Sequence, residues 1–233
     1  MIRVNRARRG TSYVPMRQEP EMSRPFFTRT LALGLVLAGA LGLAGSSARA
    51  QDAAAAETQL RGRHAAVQQI MRRPARGAAA LATRKTQLNV ALGELLDYAE
   101  LARRALGTHE AQATPAQRVA FADLLRQLVE RSYQKNLEGT LDYEIRYVGS
   151  SASGSAVTVR TIAKSRANGR EPEVSIDYSL HKVNGVWRVY DVATDGVSLV
   201  RTYRDGFHRI IARDGFDALL TKMRERLANE GAL

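Results

Sequence analysis

The chain has 233 residues, of which 45% are apolar and 25% charged, enough for a buried core in one large domain or two small ones, and this excludes a disordered polypeptide. The formal net charge is +12, but the first 50 residues hold eight Arg against two Glu, and the 27 basic and 21 acidic side chains that follow are dispersed, which is not a nucleic-acid footprint. There is no cysteine, so folding needs no oxidation and export is permitted without being implied.

The N-terminal 50 residues read as a targeting segment. Leu31 to Ala44 is an apolar run preceded by Arg24 and Arg29 and followed by Ala48-Arg49-Ala50, the small-residue pattern of a secretory cleavage site. The run is too short to span a bilayer comfortably. A signal peptide cleaved after Ala50 is expected, with Met22 as the true start and residues 51–233 as a single exported domain.

Residues 51–57 are alanine-rich and expected to fray. Leu60, Val67, Ile70 and Met71 then recur at helical spacing, and Pro74 and Gly77 end that helix. A second helical region runs from about Ala78 toward Leu96. Asp97 can cap the next helix, with Glu100 completing a capping box and Gly107 supplying the left-handed C-terminal residue. Thr114 caps another, with Pro115 at the first helical position, Gln117 reaching back, and Phe121, Leu124, Leu125, Leu128 and Ser132 on one stripe.

Strands take over near Leu141. Leu141, Tyr143, Ile145 and Tyr147 alternate with Asp142, Glu144 and Arg146, as in a sheet with one face buried. A small-residue loop from Gly149 to Gly154 leads to Val157 and Val159, and a third strand carries Val174, Ile176, Tyr178 and Leu180 on one side. Asn184-Gly185 is a strong hairpin signal joining it antiparallel to a strand from Val186 to Val192. There Trp187, Val189 and Asp191 point one way and Val186, Arg188, Tyr190 and Val192 the other. Thr194, Asp195 and Gly196 make a turn, a helix from Val197 carries Val200, Tyr203, Phe207, Ile210 and Ile211, and a last helix carries Phe216, Leu219, Leu220, Met223 and Leu227. Helices, a four-stranded or slightly larger antiparallel meander and more helices argue for an α+β fold with helices packed on one face of the sheet.

The run WRVYDVATDGVSLVRTYRDGF, Trp187 to Phe207, resembles the C-terminal signature of the MlaC family, the toluene-tolerance or phospholipid-transport auxiliary proteins. Its W-x-V-Y-D-V strand end, G-V-S-L-V, Y-R and F positions are all matched. Asp97 to Gly107 and Thr114 to Tyr133 are similar to that family's helical segments in the same order. Where many members carry an aromatic residue after the leucine-glycine pair, this chain has Thr108 and His109.

Little in the chain points to catalysis. His64, His109, His181 and His208 are not at metal-ligand spacing and read as surface positions. Ser198 lacks a nucleophile elbow and suits the start of a helix, while Thr194 or Asp195 could cap the same helix. Asp191 is expected to hold the strand-to-helix corner by hydrogen bonds or by pairing with an arginine such as Arg201 or Arg204.

The apolar pattern does not distinguish a filled core from a cavity. The resemblance implies an NTF2-like arrangement with an apolar pocket between sheet and helices, holding phospholipid acyl chains with the headgroup outside. Residues expected to line it are Tyr98, Leu101, Phe121, Leu125, Leu128, Tyr143, Ile145, Val159, Ile176, Tyr178, Trp187, Val189 and Val200. No metal or resident cofactor is expected, only phospholipid as cargo. The resemblance further implies a periplasmic, non-enzymatic carrier that maintains outer-membrane lipid asymmetry. Its partners would be an inner-membrane MCE-domain/ABC transporter and an outer-membrane lipoprotein-porin complex. The alternatives are a hopanoid carrier, an NTF2-like periplasmic enzyme using Asp191 or Tyr178 as acid or base, and an interaction module with a packed core.

Overall fold

A computed structural model describes residues 41–140, 143–166 and 172–230, with side chains for 47–134, 143–166 and 172–229. Leu141 and most of the signal-peptide reading, residues 1–40, lie outside the described residues. Four helices come first: α1 (Leu41–Arg72), α2 (Ala78–Leu95), α3 (Tyr98–Leu106) and, after a short 3-10 turn at Gly107–His109, α4 (Pro115–Thr140). Five strands follow, β1 (Tyr143–Ser153), β2 (Ala156–Ser165), β3 (Val174–Val183), β4 (Val186–Thr194) and β5 (Val197–Ser198), and then α5 (Leu199–Asp214) and α6 (Phe216–Glu230). The strands form one antiparallel sheet in sequence order, and the fold is α+β.

Local chemistry accounts for most boundaries. The Thr114 hydroxyl accepts from the Gln117 backbone N–H at 3.2 Å while the Gln117 side chain accepts from the Thr114 N–H at 3.0 Å, a complete capping box with Pro115 at the first helical position. Asp97 accepts from the Glu100 N–H at 3.0 Å, but the reciprocal half of that box is missing. The Glu100 carboxylate instead takes Arg103 and Arg104, whose guanidinium groups hold it down at about 2 against the cost of its partial burial. Asn184 and Gly185 both have positive φ, 50° and 81°, as the expected hairpin requires.

Three expected element boundaries need correction. Residues 51–57 belong to α1, and Ala53 and Ala56 are buried in the main core because they extend the stripe of Leu60, Val67 and Met71 backward at helical spacing. Gly149 to Ser153 is strand and not loop, since each residue pairs with β2 down to Ser153 opposite Ala156; the irregularity is a bulge at Val148, and only Gly154 and Ser155 turn. The residues before α5 pair as β5, because Asp195 and Gly196, at φ 48° and 79°, fold the chain back on β4 and delay the helix to Leu199.

The buried sheet face is a set of cross-strand rows. Val157, Leu180 and Val189 form one; Val159, Tyr178 and Val192 the next; Thr161, Ile176 and Thr194 the third. The alternation expected along β4 breaks between the Leu180–Val189 and Ser179–Asp191 pairings, where Tyr190 is an extra residue. This bulge moves Val192 onto the same face as Val189, opposite to the simple period-2 reading. Phe121, wholly buried, meets Phe207 and Phe216 edge-on at 5.3 and 6.2 Å and ties α4 to α5 and α6.

The outer edge of β4 is closed by helices. The Gln59 side chain, from α1, donates to the Trp187 carbonyl at 2.9 Å and accepts from the Trp187 N–H at 3.1 Å, standing in for a neighbouring strand. The Asp97 N–H donates to the Val189 carbonyl at 2.8 Å, and β5 takes Ala193 and Thr194. Replacing Gln59 with Leu leaves both Trp187 backbone groups unpaired and should lower stability by about 1–3 kcal/mol. Urea unfolding of the variant checks this; an unchanged midpoint would show that the amide bridge contributes nothing.

Candidate functional site

A cavity of about 350 Å³ lies between the β3–β4 half of the sheet and the helices. Its floor is Leu92, Leu95 and Leu96 at the end of α2, Leu101 of α3 and Val189 of β4. All five are buried, Leu92 completely. Ile176, Tyr178 and Val192 make the sheet wall, Val129 and Tyr133 of α4 and Leu199 and Tyr203 of α5 the facing walls, and the exposed Ser132 and Thr194 mark the rim. The lining is mostly carbon and runs from exposed to fully buried residues, as suits a site for an apolar small molecule.

Two sequence features create this space. The Asp97 cap turns the chain sharply between α2 and α3, and because its own N–H is bound to Val189, the turn holds both helix ends against β4. Arg188 reinforces the junction by donating to the Gly93 carbonyl at 2.7 Å, one of the free carbonyls at the end of α2. On the other side Asp191 holds the start of α5: one carboxylate oxygen accepts from the Ser198 hydroxyl at 2.6 Å and the other from the Val200 N–H at 3.0 Å. Of the two roles expected for Asp191, hydrogen bonding fixes the corner. Ser198 caps the helix by accepting from the Arg201 N–H, whereas Asp195 binds the Ser175 N–H across the sheet.

One wall carries polar groups. His64 of α1 lines the cavity with Nδ1 2.7 Å from the Tyr147 hydroxyl and its ring edge-on to Tyr178, centroids 5.0 Å apart. Burial lowers the His64 imidazole to about 4, and burial pushes the Tyr133 and Tyr147 phenols up to about 12, in Tyr147 against the nearby Arg61 cation, and Tyr178 higher still. At neutral pH the imidazole and the three phenols are all uncharged.

Of the other histidines, His208 is exposed as expected, while His109 and His181 are partly buried. His181 lies 2.8 Å from the Asp97 carboxylate and edge-on to Tyr190. His109 and His208 meet nitrogen to nitrogen at 2.8 Å, with ring centroids 5.0 Å apart. Among the described residues no group of three His, Cys, Asp or Glu side chains could hold a metal ion.

Of the residues expected to line a pocket, Leu101, Ile176, Tyr178 and Val189 come together here. The remainder sit elsewhere. Phe121, Leu125, Leu128, Val159, Trp187 and Val200 are packed in the core, because the sheet face and the α4 stripe extend well beyond the cavity and meet α1, α5 and α6. Tyr98 packs against that core with its hydroxyl buried, and burial together with the Glu130 carboxylate raises its phenol. Tyr143 and Ile145, half-buried, lie on β1, which is separated from β3 by β2.

The lining residues that sequence reasoning missed had signals. Leu92, Leu95 and Leu96 recur at helical spacing just before the Asp97 cap, and Val129 and Tyr133, four apart, form a second stripe on α4 beside the first. His64 falls between Leu60 and Val67 at steps of four and three, squarely on the apolar stripe of α1.

The His64 environment makes stability pH-dependent. Its folded pKa of about 4 lies below the 6.5 of an unperturbed imidazole, so between those values the unfolded chain binds more protons. Stability is therefore full above pH 6.5 and falls as the pH drops toward 4, by at most about 3 kcal/mol. Melting curves across that window should slope less steeply for His64→Gln than for the parent protein; equal slopes would contradict the assignment.

A family model described as MlaC protein matches residues 63–225. The intermembrane phospholipid transport system binding protein MlaC of Haemophilus influenzae is 27% identical over 139 residues, covering 57% of this chain. The chain spans 64% of that relative's length, a little under two thirds. The structure of the phospholipid-binding protein of Ralstonia solanacearum, in complex with a phospholipid, superposes with a TM-score of 0.56 at 22% identity, covering 83% of this chain and 99% of the other, and has the same fold. With 163 consecutive residues under the family model, the chain belongs to the MlaC family.

Proposed function

We propose that the protein is a phospholipid-binding carrier whose cavity shelters acyl chain outside a membrane. The observation that carries this reading is the largely apolar slot whose lining runs from the exposed Ser132 and Thr194 to the buried Leu92 and Val189. The names of the Haemophilus and Ralstonia relatives support it. Each methylene removed from water contributes about 0.8 kcal/mol, so a chain of about sixteen carbons resists crossing an aqueous compartment by of order 10 kcal/mol. A side-chain-lined slot replaces the bilayer interior.

The size of the slot is informative. If a methylene is given about the space of a water molecule, ~30 Å³, then 350 Å³ accommodates of order a dozen methylenes, most of one acyl chain. A two-chain lipid requires the slot to widen. The sheet is a continuous hydrogen-bonded ladder, whereas α2 and α4 meet largely through side chains, so the helices are the wall that moves.

In its fuller form the proposal is a periplasmic carrier that receives and delivers phospholipid between an inner-membrane MCE/ABC transporter and an outer-membrane complex, helping to keep the outer membrane asymmetric. It carries its lipid as cargo, and the energy enters through the partner's ATP hydrolysis; the protein performs no bond chemistry itself.

Protein purified without detergent and extracted with organic solvent should yield about one phospholipid per chain by mass spectrometry. Ile176→Trp, which fills the sheet wall of the slot, should retain roughly tenfold less, as overpacking by one ring costs about 1–3 kcal/mol. Repeated lipid-free extracts of the parent protein would overturn the reading.

A further inference from the structure

The polar wall is the least expected part of a slot that is mostly apolar, with Asp191 and the rim residues Ser132 and Thr194 as its other polar lining outside the tyrosines. His64 spends Nδ1 on the Tyr147 hydroxyl at 2.7 Å, which leaves Nε2 as its second hydrogen-bonding atom. Neither that nitrogen nor the Tyr178 hydroxyl makes a hydrogen bond to another described residue, and neither is among the sealed, unpartnered polar atoms of the interior. Both residues line the cavity, with their rings in edge-to-face contact at 5.0 Å. A packed core would pair these groups or replace them with Phe and Leu, since polar groups withdrawn from water without partners are costly. Two such groups side by side on the wall of a binding slot are a built recognition element.

Their chemistry defines what they can accept. The imidazole is neutral, the phenol is protonated, and Tyr147 lies behind the imidazole. When the Tyr147 hydroxyl donates to Nδ1, the imidazole proton sits on Nε2, and both Nε2–H and the Tyr178 O–H become donors. Two neutral donors on an apolar wall suit a neutral oxygen. A phosphate would have to shed its water without meeting a cation among the side chains that line the cavity. On the carrier reading just given, we infer that His64 and Tyr178 form a subsite for one uncharged oxygen of the lipid, an ester carbonyl or a hydroxyl on the chain, and that the protein thereby discriminates among lipids of equal hydrocarbon length.

Competition against a fluorescent fatty acid tests this with two matched pairs. One is 1-palmitoyl-lysophosphatidylcholine against its 1-O-hexadecyl ether, which lacks only the ester carbonyl. The other is 12-hydroxystearate against stearate. The wild-type protein should prefer the oxygenated member of one pair by roughly tenfold, since leaving the donors unpaired forfeits about that much, and the pair that responds identifies the source of the oxygen. Tyr178→Phe, which removes the hydroxyl and keeps the ring, should shrink the preference to near one. Equal affinities within both pairs for the wild type, a comparison that needs no variant, would overturn the subsite while leaving the carrier intact. A preference that survives in folded Tyr178→Phe would overturn it as well. Failure of all four lipids to displace the probe would remove the carrier reading itself.

Discussion

The outer edge of β4 is where the four long strands would otherwise end in unpaired backbone groups. Helical elements and the two-residue β5 meet that requirement. Gln59 of α1 takes both groups of Trp187, the Asp97 N–H takes the Val189 carbonyl, and the two residues of β5 take Ala193 and Thr194. Backbone groups withdrawn from water must be paired, so these contacts fix where α1 and the α2–α3 corner stand relative to the sheet. Held by the edge, the helices leave a slot over the β3–β4 half that their own side chains do not fill, while toward β1 and β2 the rows of Val157 and Val159 pack into a solid core.

This division suits the proposed carrier, which would have to hold hydrocarbon and release it. The packed side, with Phe121 between Phe207 and Phe216 and a full capping box at Thr114, supplies stability that does not depend on cargo. The slot side is built from helix ends and from residues such as Tyr203 and Leu199 that remain partly exposed. On the proposed carrier reading, cargo would take up space that the protein's own side chains leave rather than displace native packing.

Much of the fold was legible because its determinants are local. Asn184-Gly185, the Thr114–Gln117 box, the Asp97 cap and the alternation in β3 each need only a few adjacent residues to declare themselves. Asp191 was readable as a corner residue for the same reason: its partners, Ser198 and Val200, are less than ten positions away. What remained hidden was set by distant pairing. The bulge at Tyr190 follows from the register with β3, and the strand character of Gly149 to Ser153 follows from β2, since small residues declare no strand by themselves. The pocket was harder still. Phe121 and Leu101 look alike as apolar helix positions, and only the tertiary packing decides that one meets Phe207 and Phe216 while the other borders the cavity. His64 was misread because Arg61 and Arg63 beside it suggest a wet face, although the spacing to Leu60 and Val67 pointed inward.

The central claim is that the space held open at the β4 edge is where hydrocarbon sits. A crystal structure of the protein purified without detergent tests it most directly. The account predicts continuous acyl-chain density running from Thr194 inward between Leu101, Ile176 and Val189 to Leu92. A slot closed by inward rotation of Leu92, Tyr133 and Tyr178, with no density other than protein, would contradict it.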